Sequence, residues 1–305
     1  MTDQHSLAER GRERQTSLLG IINDYITLTK PAIVMLLLVT AAGGMFLAAG
    51  GVPSPLIMGL VWLAGALASG GANAINHHLD RDIDELMSRT RHRPVADRRI
   101  SPVKALIFGI LLNVIAFLIL VTWVNLLSAL LTLAATLFYV FVYTCWLKRT
   151  TPQNIVIGGA AGAIPPLVGW AAVTGGLDLP AVYLFAIIFF WTPPHFWALS
   201  LLIQRDYQRA GIPMLPVVST REYTILHIFL YTLALVGLTI MFALTAAVGW
   251  AYAGAALVLG AIFIWQAWQL KLQDTARNAR KVYLYSLLYL ALLFVAVMID
   301  SALQL

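Results

Sequence analysis

An all-α polytopic membrane protein with about nine transmembrane helices is the fold class that the sequence predicts, and three observations carry it. Sixty per cent of the 305 residues are hydrophobic and only 11% are charged, against about a quarter charged in soluble domains. The apolar residues come in unbroken runs near the roughly 20 residues that a helix needs to cross a bilayer, whereas barrel strands alternate over short segments. The 20 lysines and arginines fall only in alternate connections between those runs.

Taken in order, residues 1–24 read as a cytoplasmic polar tail and 25–305 as a single transmembrane domain. The first residues are polar and mixed in charge, without an apolar core and cleavage site, so no cleaved leader is expected. Pro31 suits the first turn of the first span. Spans are expected over 31–50, 55–78, 104–123, 126–147, 154–175, 180–203, 222–247, 250–270 and 282–302. The break between the third and fourth, near Thr122 to Asn125, is weakly marked. The pairs Pro165-Pro166 and Pro193-Pro194 argue for kinks buried against neighbouring helices. The glycine-rich stretch from Gly158 through Gly162 to Gly169 lacks the flanking strand and the Lys-Ser/Thr of a nucleotide loop; it reads as close helix packing. The lone Cys145 excludes an internal disulfide and reads as a packing residue.

Charge placement gives the orientation. Basic residues lie in the tail (Arg10 to Lys30), the second connection (Arg81 to Lys104), the fourth (Lys148, Arg149), the sixth (Arg205, Arg209, Arg221) and the eighth (Lys271, Arg277, Arg280, Lys281). The last of these reads as an ordinary basic interfacial loop. With nine spans every one is on the same side, which the positive-inside rule makes cytoplasmic. A bacterial plasma membrane protein with a cytoplasmic N-terminus and an outer C-terminus is expected.

The most polar stretch runs from Asn73 to Pro94 and holds four carboxylates, four arginines, two asparagines and three histidines. In a soluble chain such a run reads as a solvated, salt-bridged loop. Here it follows directly on an apolar span, so it must lie at the membrane surface or in a polar cavity. Asn76, Asp80 and Asp84 are four apart, one face of a helix. Stacked carboxylates repel unless a cation sits between them, and a hard divalent ion such as Mg2+ takes oxygen ligands together with phosphate. Arg89 and Arg93, also four apart, suit phosphate oxygens. Together they point to a metal-bound diphosphate.

Two further clusters qualify. Lys148 and Arg149 read either as headgroup anchors or, with Thr150, Thr151, Gln153 and Asn154, as a phosphate-binding surface at a helix N-terminus. His195 falls inside a span, where an ionisable residue is a candidate for function. It reads as a proton carrier, as a contact to an aromatic macrocycle, or as a neutral histidine bonded to a carbonyl near Pro193. Asp206, near the cytoplasmic end, is a candidate third carboxylate beside Asp80 and Asp84. His77 is favoured over His78 as a ligand, with no cysteine or third spaced histidine to support zinc.

Asn76-x3-Asp80-Arg81-x2-Asp84 followed by Met87-x-Arg89-Thr90-x2-Arg93-Pro94 resembles the first aspartate-rich motif of the UbiA-type intramembrane prenyltransferases. Tyr143-Thr-x2-Leu-Lys148-Arg149-x-Thr151-Pro-Gln153-Asn154 and Trp191-Thr-Pro-Pro-His195-Phe-Trp are similar to the haem O synthase branch, the protohaem IX farnesyltransferases. The resemblance runs from about Lys30 to the C-terminus. It implies nine helices around a central cavity open to the cytoplasm, and transfer of the farnesyl group of farnesyl diphosphate to a vinyl group of haem b with addition of water. It implies Mg2+ as cofactor on Asn76, Asp80, Asp84 and Asp206, and diphosphate or haem contacts from Asn73, Asn76, Arg89, Arg93, Lys148, Arg149 and His195. Asp80, Asp84, Asp206 and His195 would carry the chemistry. Haem is then substrate, with a hand-off to a downstream haem-modifying enzyme. The second motif departs from the wider family, since only Asp206 stands where quinone-type relatives carry several aspartates.

Two other readings stay open. An aromatic quinone precursor is the alternative acceptor, which the missing aspartates disfavour. A transporter would carry polar groups near the midplane with access from both sides, whereas the outer connections here hold only Asp178.

Overall fold

The computed structural model describes residues 17–303, which contain helices and turns and no strand. A short helix α1 (Leu18–Thr29) precedes α2 (Pro31–Ala49) and α3 (Pro55–Leu79). After the single-turn α4 (Arg81–Leu86) come α5 (Pro102–Trp123), α6 (Leu126–Thr150), α7 (Asn154–Thr174) and α8 (Leu179–Leu202). Two more short helices, α9 (Gln204–Arg209) and α10 (Leu215–Val218), lead to α11 (Arg221–Ala243), α12 (Trp250–Leu272) and α13 (Ala276–Leu303). Among the described residues nine helices are long and apolar enough to cross a membrane, the number expected.

Local chemistry sets the boundaries. Pro31, Pro55 and Pro102 each open a span at its first turn, where a missing N–H costs nothing. The weakly marked break after Trp123 is a capped start: Asn125 Oδ1 accepts from Ser128 N at 2.8 Å. α13 begins six residues before the expected 282, because Thr275 Oγ1 accepts from Asn278 N at 3.2 Å. Arg277, Arg280 and Lys281 therefore lie on its first turns rather than in a loop, and Lys271 closes α12. α7 breaks at Ile164, before Pro165, as expected. α8 in contrast stays helical through Pro193 and Pro194. α6 changes over Phe138–Leu147 into a π-helix, a conformation concentrated at functional sites.

The expected tail is partly helix. Residues 1–16 lie outside the described residues, but α1 starts at Leu18, where Ser17 Oγ accepts from Gly20 N at 3.0 Å. It docks through a buried Asp24 paired with Arg99 and through Tyr25, edge-on to Phe108 at 4.9 Å.

The spans form a closed ring. Each packs on the spans next to it in sequence, and α13 returns to pack on α2. α2 also meets α7, and α8 meets α13, across the middle. Outward residues such as Leu63, Leu111, Leu118 and Leu257 are exposed, as lipid contact requires. α2 and α7 touch backbone to backbone: a Cβ on Gly169 would sit 2.0 Å from Ala41 O, and one on Gly44 would sit 2.2 Å from Pro166 O. Gly162 has no neighbour within 4 Å, so the glycine stretch packs closely at only some positions.

Gly169→Val is expected to destabilise the folded protein by about 1–3 kcal/mol or more through overpacking, and Gly162→Ala to be nearly neutral. Thermal unfolding of both variants in the same detergent checks the contrast.

Candidate active site

The polar stretch leaves the bundle where α3 ends. Asp80 caps that end with φ −95° and ψ 10°, and α4 starts at Arg81. The expected helical face is thus hinged, yet the four-residue spacing survives: Asp80 N bonds to Asn76 O at 2.9 Å and Asp84 N to Asp80 O at 2.8 Å. Asn76 Nδ2 donates to Asp80 Oδ2 at 2.6 Å and to Thr144 Oγ1, in the π-helix, at 3.3 Å. Asp80 has no exposed surface and Asp84 is 2% exposed.

Each carboxylate has its own cation. Lys148 Nζ donates to Asp80 Oδ2 at 2.5 Å, and Arg149 stands 3.6 Å from Asp80 Oδ1. Arg93 Nη1 lies 2.9 Å from both oxygens of Asp84. Arg149 is aimed by a two-pronged contact with Asp82 at 2.7 and 2.9 Å and by Leu79 O at 3.0 Å. Its hydrogen bonds push the Asp82 carboxyl down to about 2, against partial burial. Lys30 comes from the other side. Its backbone is left-handed, φ 51° and ψ 64°, an unusual state for a residue with a Cβ that costs about 1–3 kcal/mol. That bend ends α1, starts α2 at Pro31, and brings Nζ within 3.2 Å of Asn76 Oδ1. Burial first, then Arg93 and Lys148, hold its amine well below the ordinary lysine range.

The expected carboxylate trio does not converge. Among the described residues no three His, Cys, Asp or Glu side chains stand close enough to hold a metal ion, and Asp206 accepts from Ser88 Oγ at 2.6 Å instead. Asp80 still fits a hard cation: its Oδ1 is sealed from solvent and accepts no hydrogen bond, beside the amide of Asn76. An all-oxygen donor set of this kind suits Mg2+.

The other expected residues fall in different places. Arg89 is exposed and makes no ion pair or hydrogen bond, whereas Arg93 is committed to Asp84. Asn73 Nδ2 reaches back to Thr29 O at 3.4 Å and ties down the end of α1. Thr150 Oγ1 donates to Trp146 O within α6, Thr151 Oγ1 accepts from Gln153 N, and Asn154 Nδ2 donates to Thr151 O while its Oδ1 is buried without a hydrogen bond. Cys145 is exposed rather than a packing residue; it lines a pocket of about 340 Å³ with Leu79, Arg81, Asp82, Thr144 and Arg149. His78 Nδ1 bonds to Pro102 O at 2.9 Å. His77 is buried with neither ring nitrogen paired.

His195 lies about two turns inside the end of α8. It pairs with Ser286 Oγ at 2.7 Å, not with a carbonyl near Pro193. Its ring stacks on Trp191 at 4.3 Å and 17°, with Phe196 and Tyr283 each at 5.0 Å. Tyr207 joins this cage to the carboxylates. It packs with Ile83, Met87, Tyr143 and Phe196, and burial pushes its phenol up while Arg89 and Arg93 act against that. Lys30, Ser88 and Ser286 were invisible to sequence reasoning, because each is a common residue type remote in sequence from its partner. The Lys30-Pro31 pair was the one local signal, since a residue before proline avoids ordinary helix.

Residues 36–296 match the model of the UbiA prenyltransferase family. A protein of Gloeobacter violaceus described as a protoheme IX farnesyltransferase is 50% identical over 299 residues, 98% of each chain. One of Roseiflexus sp. (strain RS-1) with the same description is 50% identical over 92% of this chain, which spans 53% of that relative. Among solved structures, digeranylgeranylglyceryl phosphate synthase superposes with a TM-score of 0.76 at 17% identity, covering 92% of this chain and 98% of that one. A UbiA homologue of Archaeoglobus fulgidus bound to GPP and Mg2+ gives 0.64 at 18% identity, covering 90% and 99%.

Asp82→Asn is expected to lower stability by no more than about 1 kcal/mol, the worth of an exposed pair. Because the folded carboxyl titrates near 2 rather than the ordinary 3.8, the pair's contribution is complete above the ordinary value. It is lost as pH falls through about 2. Unfolding midpoints of parent and variant, measured from pH 7 downward, should therefore converge in that window.

Proposed function

The chain belongs to the UbiA prenyltransferase family, and we propose that it transfers the farnesyl group of farnesyl diphosphate to a vinyl group of haem b, with water added, giving haem O and diphosphate. The observation that carries this reading is a fully buried Asp80, one oxygen lacking a hydrogen bond, ringed by Asn76, Lys148 and Arg149. Such a cluster is built to exchange partners when a metal diphosphate enters. The named activity of the relatives supplies the acceptor.

Asn76, Asp80 and Asp84 are the residues that would hold Mg2+, which when bound neutralises the leaving diphosphate. Lys148 and Arg93, each paired to a carboxylate in this structure, are then free to bond diphosphate oxygens. Arg89, exposed and unpaired, adds one more cation, and Lys30, on Asn76, adds a hydrogen-bond donor. The allylic C–O bond breaks and its electrons leave with the diphosphate. The vinyl π pair of haem then bonds to the farnesyl carbon. The resulting cation beside the pyrrole takes up water, which loses a proton. Tyr143, Phe196 and Tyr207, in one apolar cluster with Ile83 and Met87, would keep water from the first cation. Asp206, held by Ser88, shares this wall beside Arg89 and Arg93. His195 contacts the macrocycle.

The chain is a multi-pass membrane protein. Basic ends of α6, α11, α12 and α13 share one side with the site, so we place that side in the bacterial cytoplasm with the C-terminus opposite. The product would pass to a downstream haem-modifying enzyme.

Incubation with haem b, farnesyl diphosphate and Mg2+ should yield a haem heavier by one farnesyl group plus water, seen by mass spectrometry and absent without metal. Asp80→Ala and Lys148→Ala should each cut turnover by about 10²-fold or more while the protein still reaches the membrane. Full activity of Asp80→Ala would overturn the diphosphate site; unmodified haem beside a prenylated aromatic acid would reassign the acceptor.

A further inference from the structure

Two buried histidines differ in their pairing. His77 is sealed, with both ring nitrogens unpaired. His195 is paired at one nitrogen only, Nδ1, with Ser286 Oγ. Ser286 has a single hydroxyl hydrogen, and it goes to Tyr283 O at 2.6 Å, within α13. With the hydroxyl hydrogen on Tyr283 O, the 2.7 Å contact with His195 runs from Nδ1–H to Ser286 Oγ. A neutral imidazole protonated at Nδ1 carries its lone pair on Nε2. Nε2 makes no hydrogen bond and is not among the atoms sealed from solvent.

The arrangement holds this state firmly. Ser286 is completely buried, and its backbone oxygen accepts from Trp191 Nε1 at 2.7 Å. Trp191 in turn stacks on the imidazole, with Tyr283 on another side. A half-turn of the ring would put Cδ2 in place of Nδ1 and lose the Ser286 bond. One tautomer and one orientation are selected by α8 and α13 together.

We propose that Ser286 is a positioning residue: it locks His195 as the Nδ1–H tautomer so that Nε2 ligates the iron of the substrate haem. This rests on the reading of haem as acceptor given above. Metal-bound histidines generally donate their other N–H to a fixed acceptor, which sets the tautomer and raises ligand basicity. Ligation holds the macrocycle at one point while the reaction runs at its edge, and no bond is broken at the iron.

The test uses the full-length protein loaded with haem b and reduced, read by resonance Raman in the iron–imidazole region and by haem titration, with farnesylation followed separately by mass. Wild type should show an iron–histidine band that His195→Ala lacks. Ser286→Ala should still take up haem, with the band at lower frequency and affinity about 10- to 100-fold weaker. Ser286→Thr, which keeps the hydroxyl, should restore both. If Ser286→Ala fails to fold, Ser286→Cys, a weaker acceptor of similar size, should show the same downward shift. A band unchanged in the alanine or cysteine variant, or persisting in His195→Ala, overturns the inference even if wild type farnesylates haem. Wild type that neither binds nor farnesylates haem overturns the proposed function beneath it.

Discussion

Asp80 is a carboxylate with no exposed surface in a chain that is 60% hydrophobic. An unpaired charge there would cost several kcal/mol, so everything around it is arranged to supply positive charge or hydrogen bonds. Lys148 reaches it from the end of α6, Arg149 stands behind on a fork held by Asp82, and Asn76 donates from the turn below. The π-helix in α6 places Thr144 against the same asparagine. Replacing Asp80 would leave Lys148 and Arg149 repelling each other with no carboxylate between them.

That arrangement gives the cleft a balanced charge before any ligand enters. Asp84 is neutralised by Arg93 and Asp80 by Lys148, so the spacing that looked in sequence like two repelling carboxylates is two ion pairs. A dianionic or trianionic ligand arriving with a divalent cation adds little net charge. It redistributes existing pairs, and the desolvation already met by the fold is not incurred again.

Much of the architecture was legible because membrane helices are long and lipid is an unforgiving solvent: an apolar run near 20 residues has one use. The site was legible where the spacing is local, as for Asn76, Asp80 and Asp84. It was not legible where a partner comes from another span. Ser88 on Asp206 and Ser286 on His195 are separated from their partners by 118 and 91 residues, and a lone serine carries no pattern. α1 escaped notice for a different reason: Asp24 interrupts its apolar run, and only the fold supplies the Arg99 that makes that aspartate tolerable inside. Asn73 and Asn154 each give Nδ2 to a backbone carbonyl within the fold, while Asn154 Oδ1 is buried without a hydrogen bond.

The ring closes by laying α13 on α2, with Phe294 against Gly43. Lys30 stands at the first edge of that seam, and α13 carries Ser286 and Tyr283. During biosynthesis, a nascent chain with eight spans inserted already holds Asp80, Asp84 and Lys148, but it has an open flank and no lock on His195. The polar cluster and the Ser286–His195 pair therefore stand together only once α13 is in place. A chain truncated before Ala276 would lack the helix that packs on α2, α8 and α12, leaving His195 without Ser286 and Tyr283 beside it.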